Sequence, residues 1–121
     1  MSVNYEDITI NQGTDVAIEI ELIHDSGSAF DLANRSISAK MKRNYNDSAD
    51  DPNTVSFNAV VATPPSDGIV TLSLTNTQTD ALSTRGRYVY DVEMSFTDSD
   101  DNTIIERILE GQIEVSPSVT K

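Results

Sequence analysis

GRYVYDVEMSF, residues 86–96, alternates almost without a break. Tyr88, Tyr90, Val92, Met94 and Phe96 share one parity; Arg87, Val89, Asp91, Glu93 and Ser95 share the other. Successive side chains of a strand point to opposite faces of a sheet. One face of this segment therefore suits a core, and the other suits solvent or a partner.

The rest of the chain repeats the pattern. TDVAIEIEL places Val16, Ile18, Ile20 and Leu22 opposite Ala17, Glu19 and Glu21. SISAKMKR places Ile37, Ala39 and Met41 opposite Ser38, Lys40 and Lys42. TVSFNAVVA aligns Val55, Phe57, Ala59 and Val61, and GIVTLSL aligns Val70, Leu72 and Leu74. Strict alternation over short runs argues for half-buried strands of antiparallel sheet. Between the runs lie NQG at 11–13, HDSGS at 24–28, DSADDPN at 47–53, PPSDG at 64–68 and DSDDN at 98–102, all turn chemistry. Many short strands with such punctuation predict a sandwich or barrel.

Two segments break the rhythm. NTQTDALSTRG, ahead of Gly86, reads as a single helical turn capped by Thr77. In the last strand, TIIERILEGQIEV, Ile105 and Leu109 share a parity with Ile113 and Val115, but Ile104 and Ile108 take the other. A bulge near Glu110–Gly111 would bury both sets.

Composition narrows the function. At 121 residues the chain is one domain, with hydrophobic residues at 37%, enough for a core. There is no Cys, so no disulfide, thiolate metal site or thiol nucleophile. No apolar run approaches a membrane span or a signal-peptide core, so no membrane partner and no export signal are expected. The net charge is −12, and residues 1–60 and 61–121 each hold ten acids and four bases. Such a field repels nucleic acid, so no nucleic-acid partner is expected.

Candidate chemistry is sparse. Asp98, Asp100 and Asn102 have the spacing of a calcium loop's first ligands, but Thr103 stands where that loop needs Gly and Leu109 where it needs Glu. A solvated hairpin loop fits better, and no metal or cofactor is assigned. Asp47, Asp50 and Asp51 form a second acidic loop; whether the two loops meet is open. The single His24 lies near Asp25, Ser26 and Ser28, without a nucleophile elbow or oxyanion glycines. Tyr5, Phe30 and Tyr45 are the aromatic rings expected at the surface, thin grounds for a lectin. Glu19 and Glu21 could pair with Lys40 and Lys42 if their strands are neighbours; alternatively Lys40, Lys42 and Arg43 form a basic patch for a partner.

Gly86-Arg-Tyr88, entering a long strand after a helical turn, is similar to the tyrosine corner of immunoglobulin-like sandwiches, with Tyr88 in the corner role. Tyr90 stands where that pattern has Cys, and there is no Trp. The expected fold is all-β: one immunoglobulin-like antiparallel sandwich of about seven or eight strands over 1–121, with extended ends at 1–7 and 116–121. Its expected core is Val16, Ile18, Ile20, Leu22, Ile37, Met41, Phe57, Leu72, Leu74, Tyr88, Val92, Met94 and Ile113. Gly86 and Gly111 join Tyr88 as structural residues.

The order GTD, DSGSAFDLANRSISAKMKR, an acidic loop, DGIVTLSLT, LSTRGRYVYDVEMSF and EGQIEVSPSVT, over about residues 8–119, resembles small β-sandwich domains of tailed-phage virions. These include the N-terminal domain of phage baseplate upper proteins and related structural proteins of marine phages. The resemblance implies a non-enzymatic virion protein, assembled in the host cytoplasm, whose partners are other virion proteins and copies of itself. In baseplate upper proteins a stalk or receptor-linking region follows the domain. With the sequence ending at Lys121, the expectation is an adaptor or ring component of tail, neck or baseplate, or else a capsid decoration. A calcium- or carbohydrate-binding sandwich is the competing class.

Overall fold

The computed structural model describes residues 4–24, 26–48 and 50–119. The strands are β1 (Asn4–Tyr5), β2 (Ile8–Asn11), β3 (Val16–Glu21), β4 (Ser36–Lys42), β5 (Val55–Ser56), β6 (Asn58–Val61), β7 (Ile69–Leu74), β8 (Arg87–Thr97) and β9 (Thr103–Ser116). A short helix, α1 (Asn76–Asp80), joins β7 to β8. The larger sheet runs β1-β9-β8-β4-β5, with β2 continuing the β1 lane along β9, and the smaller runs β3-β7-β6. This is an immunoglobulin-like β-sandwich. Every strand pair is antiparallel except the two that β1 and β2 make with β9.

The core fills the space between the sheets, as the alternation requires. Met41, Val92, Met94 and Ile113 are fully enclosed, and Leu22, Phe57, Leu72, Leu74 and Tyr88 are buried. Val16, Ile18, Ile20 and Ile37 pack against this cluster but stay partly open. Ile10, Leu32, Leu82, Ile108, Leu109 and Val115 join it from positions outside the expected list. Leu32 and Leu82 belong to connections, where no periodic run marks them.

Two expectations shift. The residues 55–61 run is one extended stretch, but Phe57 divides it: β5 pairs with β4 and β6 with β7. The stretch thereby changes sheets and closes one side of the sandwich. The bulge sits at Ile108 and not at Glu110–Gly111. Val92 faces Leu109 while Glu93 faces Arg107, so Ile108 has no partner in the register. The extra residue turns both Ile108 and Leu109 inward, but Ile105, expected inside with them, is left 62% exposed.

Gly111 has a different task. The N-terminal chain crosses directly above it between β1 and β2, and a Cβ at 111 would overlap the carbonyl of Glu6. Glu6 N–H donates to Glu110 O at 2.9 Å, and Asp7 Oδ1 accepts from Gln112 N–H at 3.2 Å. The expected extended end at 1–7 is therefore, from Asn4 on, bound to β9; residues 1–3 lie outside the described chain. At the other end Ser116 still belongs to β9, and 120–121 lie outside the described residues.

Gly111→Ala must displace this crossing. Overpacking against backbone predicts a loss of about 3 kcal/mol of stability. Urea unfolding followed by circular dichroism measures it; an unchanged midpoint would mean that the crossing is loose.

Candidate functional site

Both tyrosines of YVY tie strand β8 to other parts of the chain. Ahead of the strand, Thr75 caps α1: its Oγ1 accepts from Gln78 N–H at 3.2 Å, and Gln78 Oε1 accepts from Thr75 N–H at 2.8 Å. The cap is thus Thr75, not Thr77. Asp15 Oδ1 accepts from Asn76 N–H at 2.7 Å, which holds the helix start against the β2–β3 turn. The chain then returns through Ser83, whose N–H donates to the Tyr88 hydroxyl at 2.9 Å. That is the geometry of a tyrosine corner. Gly86 takes a φ of 66°, and the Arg43 guanidinium lies beside it, 4.9 Å from the centre of the Tyr88 ring.

Tyr90 is buried, and its hydroxyl donates to Glu6 O at 2.6 Å. Burial raises its pKa well above the ordinary tyrosine value, and the carboxylates of Glu6 and Asp7 push it the same way. The phenol is therefore held neutral as a donor to the crossing chain.

The outward parity of β4, β8 and β9 forms a shallow concavity of about 350 Å³, lined by Lys40, Lys42, Tyr45, Asp91, Arg107 and Glu110 among others. Arg107 binds Asp91 at 3.3 Å and Glu110 at 3.2 Å, and Arg87 binds Glu114 at 3.4 Å. All are surface pairs, each worth about 0.2–1 kcal/mol. Neither Lys40 nor Lys42 forms an ion pair among the described residues. Tyr5 and Tyr45, 63% and 77% exposed, add two aromatic rings to the surface. Tyrosine and arginine are enriched where proteins bind one another.

A second feature lies on the open side of the sandwich. β2 and β3 are consecutive strands that belong to different sheets. Between them lies a cleft of about 420 Å³. Ile8, Ile18 and Ile20 line it, with Glu19 and Glu21 at its border.

Asp98 Oδ1 accepts from the N–H groups of Asp100 and Asn102, both at 2.9 Å, so this carboxylate organises its own hairpin. In the 47–53 loop, Asp47 and Asp51 accept likewise from Asn44 N–H and Asn53 N–H. The two acidic loops do not meet. Lys42 pairs with Val89 and Ser36 with Ser95, so the loops leave opposite ends of the larger sheet. Among the described residues no three acidic or histidine side chains gather as a metal cluster. The His24 ring lies 4.6 Å from that of Phe30, and Asp25 is outside the described residues.

Phe30 is not an open surface ring. His24 packs against it and the Arg35 guanidinium stands 5.0 Å from its centre, reaching the Phe96 ring at 4.0 Å as well. Glu19 and Glu21 do not pair with Lys40 and Lys42, because β3 and β4 lie in different sheets. Arg43 turns to Tyr88 and leaves the patch to the two lysines. Sequence reasoning missed the Tyr90–Glu6 bond, the Arg35 bridge and the cleft. Only the first had a signal, a tyrosine on a buried parity, where its hydroxyl needs a partner.

No family model matches the chain, and no curated protein matches its sequence. Solved structures match in fold. Murine CRIg aligns with a TM-score of 0.53 at 16% identity, over 92% of this chain and 92% of that one. AggA, the major subunit of aggregative adherence fimbriae type I from Escherichia coli, aligns with a TM-score of 0.41 at 7% identity, over 91% and 89%. The likeness to CRIg is one of fold and places the chain among immunoglobulin-like sandwiches.

Tyr88→Phe strands the Ser83 N–H and should cost about 1–2 kcal/mol in urea unfolding; no change would mean that water replaces the corner bond. For Tyr90 the folded pKa lies above the unfolded value of 10.0. Above pH 10 the unfolded phenol loses its proton while the folded one keeps it, so stability falls as pH rises. The slope contributed is at most about 1.4 kcal/mol per pH unit. Comparing unfolding midpoints at pH 9 and 11 should show a smaller alkaline loss in Tyr90→Phe than in the native protein; equal losses would refute the raised pKa.

Proposed function

We propose that this chain is a non-enzymatic structural protein of a tailed-phage virion, working by protein–protein contact as an adaptor or ring component of tail, neck or baseplate. The observation that carries the contact role is the outer face of the larger sheet. There exposed Tyr45 stands over a concavity bordered by two lysines that form no ion pair among the described residues. The ordered motifs along residues 8–119, from the GTD turn to EGQIEVSPSVT, support the virion setting. Partners on this reading are other virion proteins and further copies of the chain, brought together in the host cytoplasm.

One observation favours a second position. The net charge of −12, spread evenly along the chain, suits a capsid decoration seated on a basic shell.

Immunogold labelling of purified phage particles with antibody against this chain tests the reading. Label at the tail or neck is the expected result, and label over the head would select the decoration role. Unlabelled particles, beside a labelled known virion protein, would overturn the virion assignment and bring forward the calcium- or carbohydrate-binding class.

A further inference from the structure

The unused feature is the outer edge of β3. β3 pairs with β7 alone, and among the described residues nothing bonds to its other side. The direction of its backbone groups follows from a single bond. Leu22 N–H donates to Gly68 O at 2.8 Å, toward the β7 side. Backbone groups alternate in direction along an antiparallel edge, so Ile18 and Ile20 also bond to β7. The N–H and C=O groups of Ala17, Glu19 and Glu21 then point away from the sheet.

This row of unpaired groups runs beside the cleft. Ile8, Ile18 and Ile20 are only half covered there, although they lie on the core parity. A sandwich side closed by a strand would bury them, as Phe57 is buried where β5 passes into β6. The other edges are less suited. β5 has only two residues and runs on into β6, and the β1–β2 lane is interrupted at the Glu6–Asp7 crossing. β3 is six residues long and unbroken.

Charge decides the occupant. Glu6, Glu19 and Glu21 border the cleft, and none of them has an ion-pair partner among the described residues. A second copy of a chain with net charge −12 would bring more carboxylates to this rim. The chain's own alternating basic run, Lys40 to Lys42, lies inside the larger sheet between β8 and β5. The carboxylates at this rim favour a basic segment of a different protein over a second copy of this chain.

We propose that the outer edge of β3 is a strand-addition site that takes one extended, basic segment of another protein. The segment's alternate apolar side chains enter the cleft against Ile8, Ile18 and Ile20, and its basic side chains lie beside Glu19 and Glu21. Main-chain bonds to Ala17, Glu19 and Glu21 supply affinity, and the cleft and carboxylates supply choice of partner. This inference rests on the contact role proposed above and names the partner's chemistry.

The test uses a fluorescent peptide alternating valine and lysine, with a control peptide holding the same residues in two separate blocks. Glu19→Pro removes one outward N–H without touching a bond to β7, a change that edge strands tolerate. The alternating peptide should bind the native protein at least about tenfold more tightly than the block peptide, a gap of about 1.4 kcal/mol. Glu19→Pro should abolish that preference with an unchanged melting temperature. Should the proline variant fail to fold, Glu19→Gln with Glu21→Gln should weaken the alternating peptide by about tenfold, and peptide binding should slow amide exchange at Ala17, Glu19 and Glu21. Equal binding of both peptides, full binding to a folded Glu19→Pro, or protection appearing on β6 instead would overturn the proposal. Any of these results would leave the particle-labelling result standing, and unlabelled particles would leave the peptide result standing.

Discussion

The bond from the Tyr90 hydroxyl to the Glu6 carbonyl is the constraint on which the rest of the molecule hangs. It joins residues 84 positions apart and holds the N-terminal chain where it crosses β9. Gly111 makes room beneath it, and the contacts at Glu110 and Gln112 fix the crossing on either side. A buried donor left unpaired here would cost about 1–3 kcal/mol, so the phenol and the crossing require each other. The position is the one at which antibody domains place a cysteine. This cysteine-free chain fastens a different pair of segments there, by a hydrogen bond.

The consequences spread outward from that crossing. Because β1 and β2 are held in parallel on β9, they form the edge of the larger sheet, and among the described residues nothing pairs with the outer edge of β3. The half-covered isoleucines and the cleft are the other side of the same arrangement. Two residues earlier on β8, Tyr88 ties the strand to the preceding loop, with Arg43 laid over its ring. The tyrosine pair thus anchors the middle of the larger sheet to the loop behind it and to the chain in front. Its outward neighbours, Val89 and Asp91, line the concavity of the outer face, where Asp91 pairs with Arg107.

Much of this was legible in the sequence, for a physical reason. Where one face of a strand is buried, the two-residue period records it residue by residue, as in β3, β4, β7 and β8. The last strand is harder, because apolar residues occupy both parities from Ile104 to Leu109, and the pattern does not say that the bulge at Ile108 leaves Ile105 outside. The helix cap shows the same limit. Thr75 with Gln78 and Thr77 with Asp80 both have capping spacing. The choice between them rests on Asp15, 61 residues away from Asn76. Pairing across sheets was equally hidden: the charges of Glu19, Glu21, Lys40 and Lys42 suit one another, but alternation does not say which strands share a sheet. The Tyr88 corner is readable because its partner is five residues away; the buried parity of Tyr90 signals that its hydroxyl needs a partner, but not that the partner is Glu6, 84 positions away.

Residue-resolved amide hydrogen exchange on the isolated protein tests the bare edge most directly. Ile18, Ile20 and Leu22 direct their N–H groups to β7 and should exchange only with global unfolding. Ala17, Glu19 and Glu21 direct theirs to solvent and should exchange orders of magnitude faster. That alternation along one strand is the result predicted by an N-terminal chain held on β9 and away from β3. Uniform protection from Val16 to Leu22 would show the edge already paired, and would contradict both the open cleft and the strand-addition site.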